Sequence, residues 1–333
     1  MRVSVASLCV GVALVCAGVA WMAPEYVMSA LNADVAASAK SEPEGDAPSD
    51  RAAEEAAGTS VVSETDRAAD GIDWAGLQAD NAQVRSWIEV PSKRIDFPVL
   101  HGFDNEYYLH HDMYGRWGYA GVFTDHRCDP NGRNVIVYGH TLIGGGMFTQ
   151  LGVADEPGQL ATIGDVFYST PEAGTVKFKP VATLHVYPTF QDVQRFSWDV
   201  TDEQMEAARR AVAKDKAASG EWNVELPAGE SPEGEFLIDY YPASDGEVEL
   251  VEAEGSEPVE VERYYAATAS DDDEARERAE KSAWRDWLVS LCEQGTQVSG
   301  TAAADIASAS RSLVLACCSW PFDSHRTLVV CVA

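Results

Sequence analysis

The sequence predicts a mainly β protein, an antiparallel sandwich or barrel with helices at its N-terminal side and one long helix before the penultimate strand. Short β-rich runs broken by Gly, Asn and Pro recur from Ser86 to the C-terminus. An apolar stripe at helical spacing runs from about Asp272 to Gln294. Hydrophobic residues make up 46% of the 333, enough to bury a core. The formal net charge of -30, from 24 Lys+Arg against 54 Asp+Glu, excludes a nucleic-acid binder, because phosphate binding needs a basic face that releases counterions. Seven cysteines, an odd number, do not form the dense framework of a small secreted scaffold.

In chain order, residues 1–24 come first. No residue between Arg2 and Glu25 is charged, and Val3 to Met22 is apolar or small. At ~1.5 Å per helical residue this run spans the ~30 Å hydrocarbon core of a bilayer. A signal peptide would have a shorter apolar region, about 7–15 residues, although Ala17-Gly18-Val19-Ala20 could serve as its cleavage site. The length favours an uncleaved anchor. Arg2 precedes the span while Glu25 and Asp34 follow it, so the positive-inside rule puts the N-terminus in the cytoplasm and the rest outside. Residues 25–70, rich in Ala, Ser, Glu, Asp and Pro, read as an acidic disordered tether that cannot offset its ordering entropy.

The folded domain is expected over 71–333. Ile72, Leu77 and Val84 mark a helix before the first strand, Ser86 to Val90, and Pro91-Ser92-Lys93 turns the chain into Ile95 to Leu100. Further strands are expected at Tyr119–Thr124, Asn134–Tyr138, Val166–Ser169, Thr175–Tyr187, Glu235–Tyr240, Arg263–Ala267, Ser312–Cys317 and Thr327–Val332. An acidic insertion at about 243–262, with Glu247, Glu249, Glu252 and Glu254 near alternation, reads as an exposed hairpin or long loop. Its spacing matches no calcium loop. The long helix opens on Asp271-Asp272-Asp273-Glu274, favourable at an N-terminus, and Ala279, Ala283, Trp287 and Leu291 form its stripe.

Two segments carry chemistry. A buried strand from Asn134 ends at Gly139 and throws His140 onto the loop Thr141-Leu142-Ile143-Gly144-Gly145-Gly146-Met147-Phe148. Taken alone, His140 is a strand-end histidine without a task. A second buried strand from Ser312 ends in Cys317-Cys318, and a seven-residue connection leads to Arg326, which opens the last strand. Taken alone, these are a core cysteine pair and a surface arginine.

Together the segments resemble the sortases, specifically class B, over most of the chain from Ile72 to Val332. The resemblance includes Trp87-Ile88 and Pro91, Ile95-Asp96-Phe97-Pro98-Val99, Asp104-Asn105-Glu106-Tyr107-Tyr108-Leu109-His110-His111, and Tyr138-Gly139-His140 with Met147-Phe148 and Leu151. The family's Thr-Leu-x-Thr-Cys strand corresponds to Val314-Leu315-Ala316-Cys317-Cys318, with arginine eight positions on. It implies a closed eight-stranded sortase-type β-barrel and a membrane-anchored cysteine transpeptidase on the extracellular face. Its partners would be the sorting-signal peptide of surface proteins and an amine acceptor, either a peptidoglycan precursor or a pilin lysine. No cofactor and no metal are implied.

Register favours Cys318 over Cys317 as the nucleophile, because Phe322-Asp323 and Arg326 then fall where class B sequences place them. Side chains alternate along a strand, so only one of the two thiols can face His140. Hydroxyl residues of the family pattern are absent at Val314, Ala316 and Cys317. A vicinal disulfide between Cys317 and Cys318 would be strained and would silence the site. By resemblance, cleavage follows the threonine of the signal. The thiolate attacks, and a free thiol of pKa about 8.5 is only a few per cent ionised at neutral pH. His140, when protonated, would stabilise that thiolate and then give its proton to the leaving nitrogen. Arg326 suits the oxyanion. Asp323 either orients Arg326 and its loop or is a solvated loop acid.

The remaining histidines read as structural. His110-His111 belong to a tyrosine-rich packing stretch, and His101, His126, His185 and His325 have no ligand spacing, so no zinc site is expected. Cys128, Cys292 and Cys331 read as structural or incidental. Two other functions fit the same letters: a cysteine protease or hydrolase in which water resolves the acyl-enzyme, and a non-catalytic surface-binding relative.

Overall fold

The computed structural model describes residues 40, 71–117, 121–142, 145–225, 236–242, 250–254, 260–265, 269–319 and 324–333. The first elements are α1 (Trp74–Asp80), β1 (Val84–Val90), β2 (Ile95–Leu100) and the single turn α2 (Tyr107–His110). Four strands follow: β3 (Phe123–Thr124), β4 (Asn134–Tyr138), β5 (Val166–Thr170) and β6 (Gly174–Val186). Next come α3 (Asp202–Ser219), β7 (Trp222–Glu225), β8 (Phe236–Pro242), β9 (Leu250–Glu254), β10 (Glu260–Tyr265) and the long α4 (Ala269–Glu293). The chain ends through β11 (Gln297–Val298), α5 (Ala302–Ser308), β12 (Ser312–Cys318) and β13 (Arg326–Val332).

The chain forms two compact units, one of Met1–Phe196 with Val289–Ala333 and one of Ser197–Leu288. In the first, strands run in the order β6-β13-β12-β4-β3-β2-β1-β5, and β5 pairs back onto β6 to close an eight-stranded barrel. Strand β11 adds to the outside of β6. The barrel is mixed where alternation alone suggested an antiparallel one: β12 runs parallel to β4, and β2 parallel to β3. Both pairs are separated by long stretches of chain, the crossover that parallel neighbours require.

Alternation builds two apolar layers from one strand. Trp87 and Ile88 are neighbours on β1 and both are buried, yet Ile88 lies inside the barrel core with Val90, Val135, Val137, Leu315 and Val329. Trp87 instead packs outside with Leu77, Val84, Leu100, Tyr108 and Phe123, under α1 and α2. Its indole N–H donates to Asp96 Oδ1 at 2.6 Å. Asp96 and Glu89 also receive the Lys40 ammonium at 2.8 and 3.1 Å.

In the second unit α3 starts at a capping box, Thr201 with Gln204, and stops at Gly220 with φ 82°. Ala208 and Val212 of α3 meet Ala275 and Ala279 of α4. Arg209 bonds Asp272, and Arg278 bonds Asp215 and Glu274, on the outer side. A four-stranded sheet runs β7-β8-β10-β9, so the acidic insertion contributes the antiparallel pair β9–β10. The stripe Ala279, Ala283, Trp287 and Leu291 is buried.

The expected single-pass localisation is corrected here. Among the described residues no helix is long and apolar enough to cross a membrane. The segment on which that topology rested, residues 1–24, lies outside the described residues, as does the tether of 25–70 apart from Lys40.

Leu315, 1% exposed at the centre of β12, tests the core. Leu315→Ala leaves a cavity that costs about 2–5 kcal/mol, to be read as a lower denaturant midpoint.

Candidate functional site

Three strand ends meet at one rim of the barrel. β12 and β4 run parallel with Ala316 opposite Tyr138, and Gly139 N–H continues the ladder to the Ala316 carbonyl at 3.0 Å. His140 therefore lies two residues past Tyr138, as Cys318 lies two past Ala316. β13 returns antiparallel with Arg326 directly opposite Cys318, and paired residues project to the same face. Arg326 Nη1 is 3.3 Å from Cys318 Sγ. His140, Cys318 and Arg326 line one cleft of about 170 Å³ with Leu109, Tyr138, Tyr187, Phe190 and Gln194.

The two thiols part as the pleat demands. Cys317 is 3% exposed in the barrel core, and burial pushes its thiol up to about 12. Cys318 is half-buried at the cleft. Its main chain is fixed by Thr141, whose hydroxyl donates to the Cys318 carbonyl at 2.6 Å.

His140 is set by its backbone and by a carbonyl. A Cβ at Gly139 would come within 2.5 Å of the Phe148 ring, so the residue before the histidine has to be glycine for Phe148 to close the loop. The His140 Nε2 lies 2.9 Å from the Leu109 carbonyl of α2, and a carbonyl only accepts, so Nε2 carries the hydrogen. Burial lowers the His140 pKa to about 4, the Leu109 bond opposes this, and the charges of His110 and Arg326 add to it. The ring is thus neutral at pH 7, with Nδ1 as its unprotonated nitrogen. The tyrosine-rich stretch supplies this support: Tyr108 is buried, His110 stacks on Trp117 at 5.0 Å, and His111 stacks on Tyr107 at 4.2 Å.

Asp323 lies outside the described residues. His325 does not line the cleft; its ring stacks on His185 and meets Tyr187 at a tilt, each at 4.4 Å. Sequence reasoning missed Tyr138, whose hydroxyl donates to the buried Asp125 at 3.1 Å and accepts from Gln194 at 3.2 Å in the cleft wall. It also missed Leu109, since a main-chain carbonyl leaves no mark in the letters. Among the described residues no group of three or more His, Cys, Asp or Glu is placed to hold a metal ion.

No family model matches the chain. Over 78 residues, 22% of the chain, it is 37% identical to "Sortase B" of Listeria monocytogenes. The match spans about a third of that relative, 32% of its length. Among solved structures, the chain is similar to sortase B of Clostridium perfringens, with 17% identity, TM-score 0.44 and coverage of 78% of this chain and 97% of that one. It is also similar to a Streptococcus pyogenes class B sortase involved in pilus biogenesis, at 14% identity and TM-score 0.45, covering 78% of this chain and 97% of the other.

Two predictions follow from the geometry of His140. The unfolded chain binds the imidazole proton near pH 6.5 and the folded chain only near 4, so stability falls as pH drops through that window and levels below it. His140→Gln removes that part of the slope, measured by denaturant titration at pH 4, 5, 6 and 7. Gly139→Ala drives a methyl into Phe148 and costs about 1–3 kcal/mol, together with loss of whatever reactivity His140 lends Cys318.

Proposed function

We propose that this relative of the class B sortases is a cysteine transpeptidase with Cys318 as nucleophile, His140 as acid and base, and Arg326 as the cation facing the oxyanion. One observation carries the reading: the half-buried thiol of the pair sits 3.3 Å from Arg326 in the cleft that His140 also lines, while its neighbour Cys317 is buried in the core. The substrate class comes from the sequence match and the motif resemblance. It is a peptide sorting signal cleaved after threonine, with an amine of a cell-wall precursor or a pilin lysine as acceptor.

A neutral His140 sets the order of proton movements. The proton of Cys318 Sγ–H passes to His140 Nδ1 as sulfur attacks the scissile carbonyl. The guanidinium of Arg326 meets the negative oxygen of the tetrahedral adduct. The adduct collapses, the C–N bond breaks, and His140 returns its proton to the departing nitrogen, leaving a thioester on Cys318. The acceptor amine then gives a proton to His140 as it attacks the thioester, and sulfur leaves to regain that proton. Burial, which lowers the His140 pKa to about 4, supports a route in which the imidazole acts first as base. The imidazolium–thiolate pair forms as the reaction proceeds.

The test is mass spectrometry of the protein with candidate signal peptides, with and without an amine. A thioacyl adduct on Cys318 and a ligated product formed faster with amine support transfer. Turnover indifferent to amine supports hydrolysis, and no adduct at all supports a binding relative. Cys318→Ala abolishes the adduct, Cys317→Ala keeps it, and Arg326→Ala lowers turnover by about 10²–10³-fold.

A further inference from the structure

The end of the β12–β13 ladder is held from the face opposite the thiol. Ser319 follows Cys318 and Thr327 follows Arg326, so both turn away from the cleft, and both are buried. Their hydroxyl oxygens lie 3.0 Å apart. Thr327 Oγ1 lies 3.0 Å from Asp155 Oδ1, and the other oxygen of that carboxylate is 2.5 Å from His185 Nδ1. The same nitrogen lies 3.4 Å from Ser319 Oγ. The His185 ring stacks on His325 at 4.4 Å. The His325 main-chain carbonyl accepts from Ser319 N–H at 3.2 Å and from Arg326 Nη1 at 3.3 Å. That nitrogen is the one 3.3 Å from Cys318 Sγ.

We infer that His185, oriented by the Asp155 carboxylate, is a positioning residue that holds the Arg326 guanidinium against the Cys318 sulfur. The line of contact is continuous: carboxylate to imidazole, imidazole to the stacked His325 ring, and His325 carbonyl to the guanidinium. A carboxylate on Nδ1 fixes the tautomer and plane of His185, and the stack then fixes the residue whose carbonyl steadies Arg326. An arginine has many rotamers, and a guanidinium shifted by an ångström loses most of its hold on a charge forming at a set point. His185 is not among the residues that line the cleft, and its effect is assigned to Arg326. The inference rests on Cys318 and Arg326 being the reacting pair.

The experiment compares His185→Ala, Arg326→Ala and the double variant of the full chain. One readout is the rate of Cys318 alkylation by iodoacetamide, followed on the Cys318 peptide by mass spectrometry; the other is acyl transfer. His185→Ala slows both, by roughly tenfold or more, and adds nothing in the Arg326→Ala background, because coupled residues are not additive. His185→Phe, which keeps a ring for the stack and drops the Asp155 bond, gives a second variant if the alanine does not fold, and its loss is smaller and equally absent without Arg326. Unchanged alkylation, or a full loss on top of Arg326→Ala, overturns the inference. A wild type that is alkylated yet never acylated overturns the transpeptidase reading, while the alkylation cycle still decides the role of His185.

Discussion

Everything at this site depends on β12 being gripped on both sides, in parallel by β4 and antiparallel by β13. The ladder is the constraint. Seven consecutive residues of β12 pair with β13, and five pair with β4. A strand with both edges occupied cannot slide without turning every side chain to the wrong face. Register therefore decides which sulfur meets solvent, and it sets an arginine opposite that sulfur and a histidine at the end of the neighbouring strand. Core packing beneath, by Val135, Val137, Leu313, Leu315 and Val329, fixes the register energetically.

Electrostatics then sorts the groups. Burial lowers the His140 pKa, and the nearby Arg326 charge adds to this, so the imidazole rests neutral. The guanidinium shares one nitrogen, Nη1, between a sulfur and a carbonyl. Under the proposed function the imidazole would serve as base and the guanidinium as the cation facing the oxyanion.

Most barrel strands were legible as short β-rich runs, whereas β7, β9 and the two-residue β11 were not expected, and the closure into eight strands came through the class resemblance. Strand direction was less so: Val135 and Leu313 show the same alternation whether their strands run parallel or not. Helix α3 was not among the expected helices although Thr201 and Gln204 stand at capping-box spacing and Gly220 closes it; its buried residues, Ala208, Val212 and Ala213, are small. Of the candidate site, Cys318, His140 and Arg326 were named through the class resemblance. Their supports were not. Leu109 offers a main-chain carbonyl, and Asp155, in a turn, meets His185 of β6 from 30 positions away in sequence.

The burial of Cys317 bears on how the protein would meet oxidants. Peroxide reaching Cys318 makes a sulfenic acid, a species commonly rescued by an adjacent thiol. Here the adjacent sulfur is packed among valines and leucines and held protonated, so it is out of reach as a resolving partner unless the strand peels away. Repair then falls to a small-molecule thiol or a reductase arriving from solution, and without one the damage proceeds toward irreversible oxidation.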